Sequence, residues 1–169
     1  MNVIVTPHGT YEARLDWGFG PRRAAIGRGG IGHKGGEGDG ITPLGTWPLR
    51  RLLYRADRVP AVKTLLPLST IAPDDGWCDA PGDPAYNTPV KLPYRTSAEI
   101  MWRKDHIYDL VVVIGFNDAP VVPGKGSAIF LHVARPNYSP TAGCVAIARA
   151  DLVHLLALLK HGDTITIKE

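Results

Sequence analysis

Glycine and proline recur along the whole chain and restrict it to a fold built from short elements. The 169 residues include 19 glycines and 15 prolines. Glycine weakens a helix through its backbone entropy, and proline interrupts a helix because it lacks an N–H donor. Short runs of β-branched and aliphatic residues lie between these interruptions. We therefore expect a mainly β fold with one or two short helices.

Several of these runs are predicted to form strands. The strongest is YDLVVVIGFN at residues 108–117, whose consecutive apolar positions predict a strand that is buried on both faces. The other runs have the β-branched or aliphatic residues typical of strands. They lie at residues 2–6, 46–54, 126–134 and 163–168. A proline-glycine turn is predicted just before the strand at 126–134.

The hydrophobic period becomes helical near the C-terminus. The leucines that share one helix face are Leu152, Leu155, Leu156 and Leu159. Asp151 is the predicted N-cap of this helix, and Gly162 its predicted end. Residues 56–107 are rich in proline, so we expect loops there, pieces of edge strand and a second short helix near residues 97–103. No repeat or linker divides the chain, which predicts a single domain over residues 1–169.

Charge and hydropathy argue against two function classes. The net charge is +3 and the pI about 9.0, but no basic cluster is interleaved with aromatic residues, so nucleic acid is not an expected partner. No run reaches the roughly 20 apolar residues that a transmembrane helix needs. The first residues also lack the basic and apolar regions of a signal peptide.

The stretch IFLHVARPNYSPTAGCVAI at residues 129–147 holds the residues most typical of catalysis. A predicted strand carries His132, and a turn of small residues leads through Gly143 to Cys144. A nearby histidine favours a cysteine thiolate by taking the proton, which predicts a lowered thiol pKa. A glycine beside the sulfur leaves room for an acyl group and for backbone N–H groups that face an oxyanion. From the residues alone, a buried structural cysteine and a structural histidine remain open alternatives.

The second cysteine, Cys78, lies outside any such turn and receives no predicted role. A Cys78–Cys144 disulfide is an alternative that an oxidising compartment would permit. Two cysteines and scattered histidines do not have the ligand spacing of a zinc site, so no metal is expected. A papain-like protease is also disfavoured, because those chains place the cysteine before the histidine.

Two motifs, and their order along the chain, resemble those of the YkuD-type L,D-transpeptidases. His132 followed by Thr141-Ala142-Gly143-Cys144 is similar to the family's histidine-bearing strand and its [S/T]-x-G-C signature. The segment TPLG at residues 42–45 is similar to the family's upstream T-P-x-G. DDGWCDAPGDPAYN and YDLVVVIGFN resemble the branch that carries this domain alone. The resemblance extends from about residue 24 to the C-terminus.

The resemblance implies a β-sandwich enzyme that transfers acyl groups between peptidoglycan stem peptides, with no metal or organic cofactor. Cys144 is then the nucleophile that forms a thioester, and His132 is its base. The backbone around Gly143 and Cys144 would form the oxyanion hole. Thr141, Ala142 and Val145 are the motif residues expected to contact substrate. A monomer in the periplasm or cell envelope is expected from the location of this substrate.

The sequence departs from the family pattern within the motif. Relatives often read S-H-G-C or S-K-G-C followed by [IV]-R, whereas this chain has Ala142 before the glycine and Ala146 in place of the arginine. That arginine commonly contacts the donor, so either another cation holds the donor's carboxylate or the donor is positioned differently. The candidates are Arg135, His33, Lys34 and Arg149, and Arg135 and His33 are predicted to bind substrate. We also expect an atypical donor position on the stem peptide.

Three functions remain open at this point. The first is an L,D-transpeptidase, which passes the acyl group to an amine. The second is an L,D-carboxypeptidase or endopeptidase, in which water releases the same thioester. The third is a peptidoglycan-binding module without catalysis.

Overall fold

The computed structural model describes all 169 residues and contains fourteen strands and one helix. In chain order these are β1 (Asn2–Pro7), β2 (Glu12–Asp16), β3 (Arg22–Ala25), β4 (Ile31–Gly32), β5 (Thr42–Pro43), β6 (Gly45–Tyr54), β7 (Leu68–Thr70), β8 (Asp75–Cys78), β9 (Pro89–Lys91), β10 (Ala98–Ile100), β11 (Leu110–Ile114), β12 (Phe130–Val133), β13 (Val145–Ile147), α1 (Arg149–Leu156) and β14 (Thr164–Ile167). The predicted mainly β class is confirmed.

The largest sheet has nine strands and closes on itself. Its order is β11-β12-β13-β3-β2-β1-β14-β6-β7, and β11 also pairs with β6. The closure depends on the ten-residue length of β6, whose first half pairs with β14 and whose second half pairs with β11. The β-sandwich is therefore a single closed sheet that surrounds its core. Strands that have neighbours on both sides expose few unpaired backbone groups.

The main core lies inside this closed sheet. It contains 26 buried hydrophobic residues, drawn from the strands of the large sheet and from α1. Alternate residues of each strand point inward, as Val3 and Val5 of β1 and Ile165 and Ile167 of β14 do. The helix contributes its buried leucines to the same core. α1 is eight residues long, and no helix has the length and hydropathy needed to span a membrane.

The predicted ends of the C-terminal helix are wrong. The helix begins at Arg149 with Ala148 as its N-cap, and Asp151 lies in the first turn instead. The helix ends at Leu156, well before Gly162, and Leu159 is buried beyond its last turn. The leucine spacing located the buried face correctly, but packing against the sheet set where the helix ends.

The small sheet β10-β8-β9 covers part of the outer face of β11 and β12. A second cluster of nine buried residues lies between them, and it includes Trp77, Val111, Phe130 and Cys144. β11 therefore has Leu110, Val112 and Ile114 in the main core and Val111 and Val113 in the second cluster, as its unbroken apolar run predicted.

The helix predicted near residues 97–103 is wrong, because the chain forms β10 there. Residues of β10 pair antiparallel with β8, with Ala98 opposite Cys78 and Glu99 opposite Trp77. Hydrogen bonds to a strand that is distant in sequence outweigh the local preference of this segment. This pairing also brings Glu99 to the side of the sheet where the candidate site lies.

Candidate active site

The pairing of β12 with β13 brings His132 and Cys144 together. The two strands are parallel neighbours, with Leu131 opposite Val145 and His132 opposite Ala146. Leu131 and Val145 face the main core. Because side chains alternate along a strand, His132 points to the opposite face, and Cys144, one residue before β13, joins the second cluster on that face. The backbone N–H of Phe130 donates to Cys144 Sγ at 3.3 Å.

The turn before Cys144 is held by the hydroxyl of Thr141. This hydroxyl donates to the carbonyl of Cys144 at 2.6 Å and accepts the N–H of Gly143 at 3.1 Å. The backbone of Thr141 is bound on both sides, since its N–H donates to Ile26 O at 2.9 Å and its carbonyl accepts the N–H of Arg28 at 3.0 Å. The hydrogen bonds of Thr141 therefore fix the turn that carries the cysteine.

Gly143 has a conformation and a packing that exclude a side chain. Its φ is +140°, and a Cβ there would lie 2.9 Å from the carbonyl oxygen of Ile41. The N–H of Gly143 donates to the hydroxyl of Thr141, whereas the N–H of Cys144 donates to no acceptor in the protein. The backbone N–H of Cys144 is thus the free donor beside the sulfur.

A cavity of about 540 Å³ opens beside this turn. Cys144, His132, Thr141, Ala142 and Arg135 all line it, so the structure brings these predicted residues together. No hydrogen bond joins Cys144 Sγ to the imidazole of His132. Both side chains nevertheless line the same cavity.

Burial keeps Cys144 in the neutral thiol form. The residue is 7% exposed, and its thiol donates to the carbonyl of Ala128 at 3.3 Å. Burial, reinforced by the negative charge of Glu99, raises the pKa of the thiol to about 12; the N–H of Phe130 and the charge of Lys34 act in the opposite direction. The lowered thiol pKa expected from the sequence is therefore wrong.

His132 is also held in its neutral form. It is 4% exposed, and burial lowers its pKa to about 4. Nδ1 lies 3.0 Å from the carbonyl oxygen of Val133 and donates to it, which leaves Nε2 with the free lone pair. The ring of Tyr108 packs edge-on against the imidazole, with 5.3 Å between centroids. The resting site thus contains a thiol and a neutral imidazole with a defined tautomer.

Two residues predicted to bind substrate lie elsewhere. Val145 is 0% exposed in the main core, because it alternates with Cys144 along the strand, and its side chain cannot contact a substrate. His33 is exposed and does not line the cavity, whereas its neighbour Lys34 does. Arg149, another candidate for the missing arginine, pairs with Asp109 at 2.8 Å and also lies outside the cavity.

The cavity also contains residues that the sequence analysis did not identify. Glu99 and Tyr108 lie beside the predicted pair, and the hydroxyl of Tyr108 donates to the carboxylate of Glu99. Its charged lining also includes Glu37, Asp79, Arg28 and Arg103. No local pattern marks these residues, because they come from segments that meet only through strand pairing.

The remaining cysteine is separate from the site. Cys78 is 0% exposed in β8, and both cysteines are free thiols, so the alternative of a Cys78–Cys144 disulfide is not realised. Its sulfur lies 3.9 Å from the hydroxyl of Thr96. No group of three or more His, Cys, Asp or Glu side chains is arranged to hold a metal ion.

Comparison with known proteins identifies the family. The family model of the YkuD L,D-transpeptidase catalytic domain matches residues 5–167. No curated protein matches the chain significantly. Among solved structures, the chain is similar to L,D-transpeptidase 1 of Mycobacterium tuberculosis at 11% identity with a TM-score of 0.43; the match covers 99% of this chain and 62% of that one, less than two thirds of its length. Because the family model matches nearly the whole chain, this chain belongs to the YkuD family of L,D-transpeptidase catalytic domains.

Proposed function

We propose that this protein is an L,D-transpeptidase that cross-links peptidoglycan through a thioester on Cys144. The observation that carries the proposal is the shared cavity of Cys144 and His132, in a chain of the YkuD family. In this reaction the sulfur attacks the carbonyl of an L,D-peptide bond of the donor stem peptide. The C–N bond breaks, and the residue beyond it leaves as an amine that takes the proton from His132. The acyl group then passes from the thioester to the amine of an acceptor stem.

His132 is the proposed general base. Because Nδ1 is bound to the carbonyl of Val133, Nε2 is the nitrogen that can accept a proton. The thiol and the imidazole are both neutral at rest, so proton transfer from sulfur to Nε2 accompanies attack on the substrate and does not precede it. A base placed in this way contributes roughly 10²–10⁴-fold to a rate.

The oxyanion that forms during attack needs donors close to the sulfur. The N–H of Cys144 is free, and Gly143 leaves the approach open because it has no side chain. We assign oxyanion stabilisation to the N–H of Cys144, with Gly143 providing the space. Thr141 acts by holding the turn through its hydroxyl, and Ala142, which is exposed at the cavity, contacts substrate through its surface.

The donor is proposed to bind without the usual arginine. Ala146 is 1% exposed and lies opposite His132, so this position offers no cation to the donor. Lys34 and Arg135 are the candidate cations that do line the cavity. A carboxylate held by either of them would lie differently from one held at position 146. An atypical donor position on the stem peptide follows.

The acceptor decides between cross-linking and hydrolysis. Water can release the same thioester, which would make the protein an L,D-carboxypeptidase or endopeptidase. Peptidoglycan as substrate places the proposed site of action in the periplasm or cell envelope. We further propose that residues 1–169 form one catalytic domain that works as a monomer without a cofactor.

The proposal is tested by incubating the protein with muropeptides and analysing the products by mass spectrometry. The wild type is expected to give cross-linked dimers, and Cys144→Ala none, with an unchanged circular dichroism spectrum. Cys78→Ser is the matched control, because it removes the thiol outside the cavity, and it should keep more than about half of the activity.

The same experiment separates the alternatives. Trimmed monomers without dimers would identify a hydrolase. Absence of any product, together with no labelling of Cys144 by a carbapenem, would identify a binding module. Tandem mass spectrometry of the dimers gives the donor position, and a bridge between two third-position diamino acids would contradict the atypical donor.

A further inference from the structure

The cavity beside Cys144 holds carboxylates that have no cationic partner. Glu37, Asp79 and Glu99 line it, and none of the three forms a salt bridge. The aspartates that do form ion pairs all lie outside the lining of the cavity. Carboxylates taken partly out of water are costly without a positive partner. The cavity is therefore suited to a ligand that brings a positive charge.

Four cations line the same cavity, and two of them, Lys34 and Arg103, have close carboxylate partners. Lys34 Nζ lies 2.6 Å from Asp39 and Arg103 lies 2.8 Å from Asp105, and neither of these aspartates lines the cavity. Arg135 approaches Asp105 at 3.9 Å. Arg28 is exposed and donates to the carbonyl of Gly38 at 2.6 Å without an acidic partner. Arg28 and Arg135 therefore offset part of the charge of the cavity, but neither forms a salt bridge with any of the three lining carboxylates.

Glu99 is the lining carboxylate most closely tied to the reacting groups. It is half-buried in β10, and the hydroxyl of Tyr108 donates to it. The ring of Tyr108 in turn packs against His132. The negative charge of Glu99 also acts directly on the Cys144 thiol and helps to raise its pKa. Burial raises the pKa of Glu99 itself.

Unused hydrogen-bonding groups lie in the same cavity. The hydroxyl of Ser127 is buried, with the residue 6% exposed, and it has no partner in the protein. Asp79 Oδ1 is also buried without a partner. Buried polar atoms are nearly always satisfied in folded proteins, so both atoms are available to hydrogen-bond a ligand in the cavity.

We propose that Glu99, oriented by Tyr108, binds the amine of the acceptor stem peptide and so directs the thioester toward cross-linking. This inference rests on the acyl transfer proposed above. An ammonium group combines the positive charge and the multiple donors that this part of the cavity lacks. Glu99 is thus a substrate-contacting residue of the second half-reaction, and Tyr108 is a positioning residue.

The transfer step replaces the thioester with an amide and releases one proton to solvent. An acceptor that arrives as an ammonium gives one proton to Glu99, which releases it to solvent. The amine nitrogen then bonds to the thioester carbonyl carbon, the C–S bond breaks, and the second proton passes from nitrogen to sulfur through His132. The products are an amide and the free thiol of Cys144.

The test measures the two half-reactions separately in Glu99→Gln. Acylation is followed by intact-protein mass spectrometry with a tetrapeptide muropeptide, and transfer by titrating a tripeptide muropeptide as acceptor. We expect the acylation rate not to fall below that of the wild type, because removing the charge of Glu99 removes one of the causes that raise the pKa of the Cys144 thiol. The acceptor concentration for half-maximal dimer formation should rise about tenfold or more, the factor expected for a lost hydrogen bond to a charged group. Hydrolysed donor should increase in proportion.

Three further variants keep the test specific. Glu99→Asp retains the charge and should recover part of the acceptor affinity, whereas a purely structural role predicts no such recovery. Glu12→Gln makes the same chemical change at an exposed ion pair with Arg23, outside the cavity, and should behave as the wild type. Tyr108→Phe should shift acceptor dependence in the same direction as Glu99→Gln, by a smaller factor.

The outcomes separate this inference from the proposed function. If the wild type forms no acyl adduct on Cys144, the acyl-transfer proposal fails. If the wild type acylates and Glu99→Gln leaves the acceptor dependence unchanged, only the role of Glu99 is refuted. A selective loss of hydrolysis in Glu99→Gln would also refute it, because it would assign Glu99 to water activation.

Discussion

At the scale of single residues, burial controls the chemistry of the candidate site. Cys144 and His132 are both almost fully buried, and burial shifts both pKa values toward the neutral forms. The shifts have opposite directions, since the thiol is neutral when protonated and the imidazole is neutral when deprotonated. A thiolate–imidazolium pair is therefore not the resting state. At neutral pH the resting thiol is protonated, and the thiol is a weaker nucleophile than the thiolate.

The first prediction concerns the reactivity of the thiol. Alkylation of Cys144 by iodoacetamide should accelerate continuously from pH 7 to pH 10 without a plateau below about pH 9, because the thiolate fraction keeps rising toward a pKa of about 12. His132→Ala should leave the position of this profile nearly unchanged, yet lower the rate of acylation by donor roughly a hundredfold or more. Stopped alkylation reactions analysed by mass spectrometry give the profile. A plateau near pH 6–7 that disappears in His132→Ala would instead demonstrate a resting ion pair.

At the scale of elements, the turn before β13 depends on close contact with the glycine-rich segment near residue 40. Gly27 forms an isolated bridge with Thr141, and its N–H donates to the hydroxyl of Thr42 at 2.8 Å. A Cβ on Gly27 would lie 1.9 Å from the carbonyl oxygen of Gly40 and 3.1 Å from Cα of Gly143. The upstream segment thus packs directly behind the turn that carries the cysteine, which gives the TPLG motif a structural role.

The second prediction follows from this packing. Gly27→Ala should destabilise the protein by about 2 kcal/mol or more, since backbone atoms must move to admit the methyl group, and it should also slow acylation of Cys144. Gly82→Ala is the control, because a Cβ there meets no atom within 4 Å. That control should change the free energy of unfolding by less than about 0.5 kcal/mol. Urea denaturation measures both, and equal stability of the two variants would contradict the contact.

At the scale of the whole molecule, one buried carboxylate joins parts that are distant in sequence. Asp109, which is 0% exposed just before β11, accepts from Arg58 at 2.9 Å, from His106 at 2.8 Å and from Arg149 of α1 at 2.8 Å. Burial raises the pKa of Asp109, but these three hydrogen bonds outweigh it and hold the pKa below the ordinary value. Asp109 therefore joins α1 to the loop before β11.

The third prediction tests this junction. Asp109→Ala should lower the free energy of unfolding at pH 7 by about 3–5 kcal/mol, the usual cost of breaking a buried ion pair. Asp118→Ala breaks the more exposed pair with Arg50 and should cost no more than about 1 kcal/mol. Denaturant titrations of both variants and the wild type make the comparison, and similar losses at the two positions would refute the structural role.

The pH dependence of this loss has a defined sign. The folded pKa of Asp109 is lower than its value of 3.8 in an unfolded chain, so its stabilisation is present above pH 3.8 and is lost as the pH falls through the folded pKa. The difference between the wild type and Asp109→Ala should therefore narrow below pH 3.8. A difference that widens in acid would show that Asp109 is protonated in the fold.

The sequence by itself determined the mainly β class, the double burial of β11, the leucine face of α1 and the motif that joins His132 to Cys144. Each of these is a local pattern, because strand alternation, helix period and a tight turn depend on residues that are near one another in the chain. Only the tertiary structure decided the rest. Residues 98–100 form β10, Val145 lies in the core and His33 lies outside the cavity. Glu99 lines the same cavity as Cys144 because β10 pairs with β8. The tertiary structure also reversed the expected thiol pKa, since a pKa depends on burial and on charges supplied by remote strands.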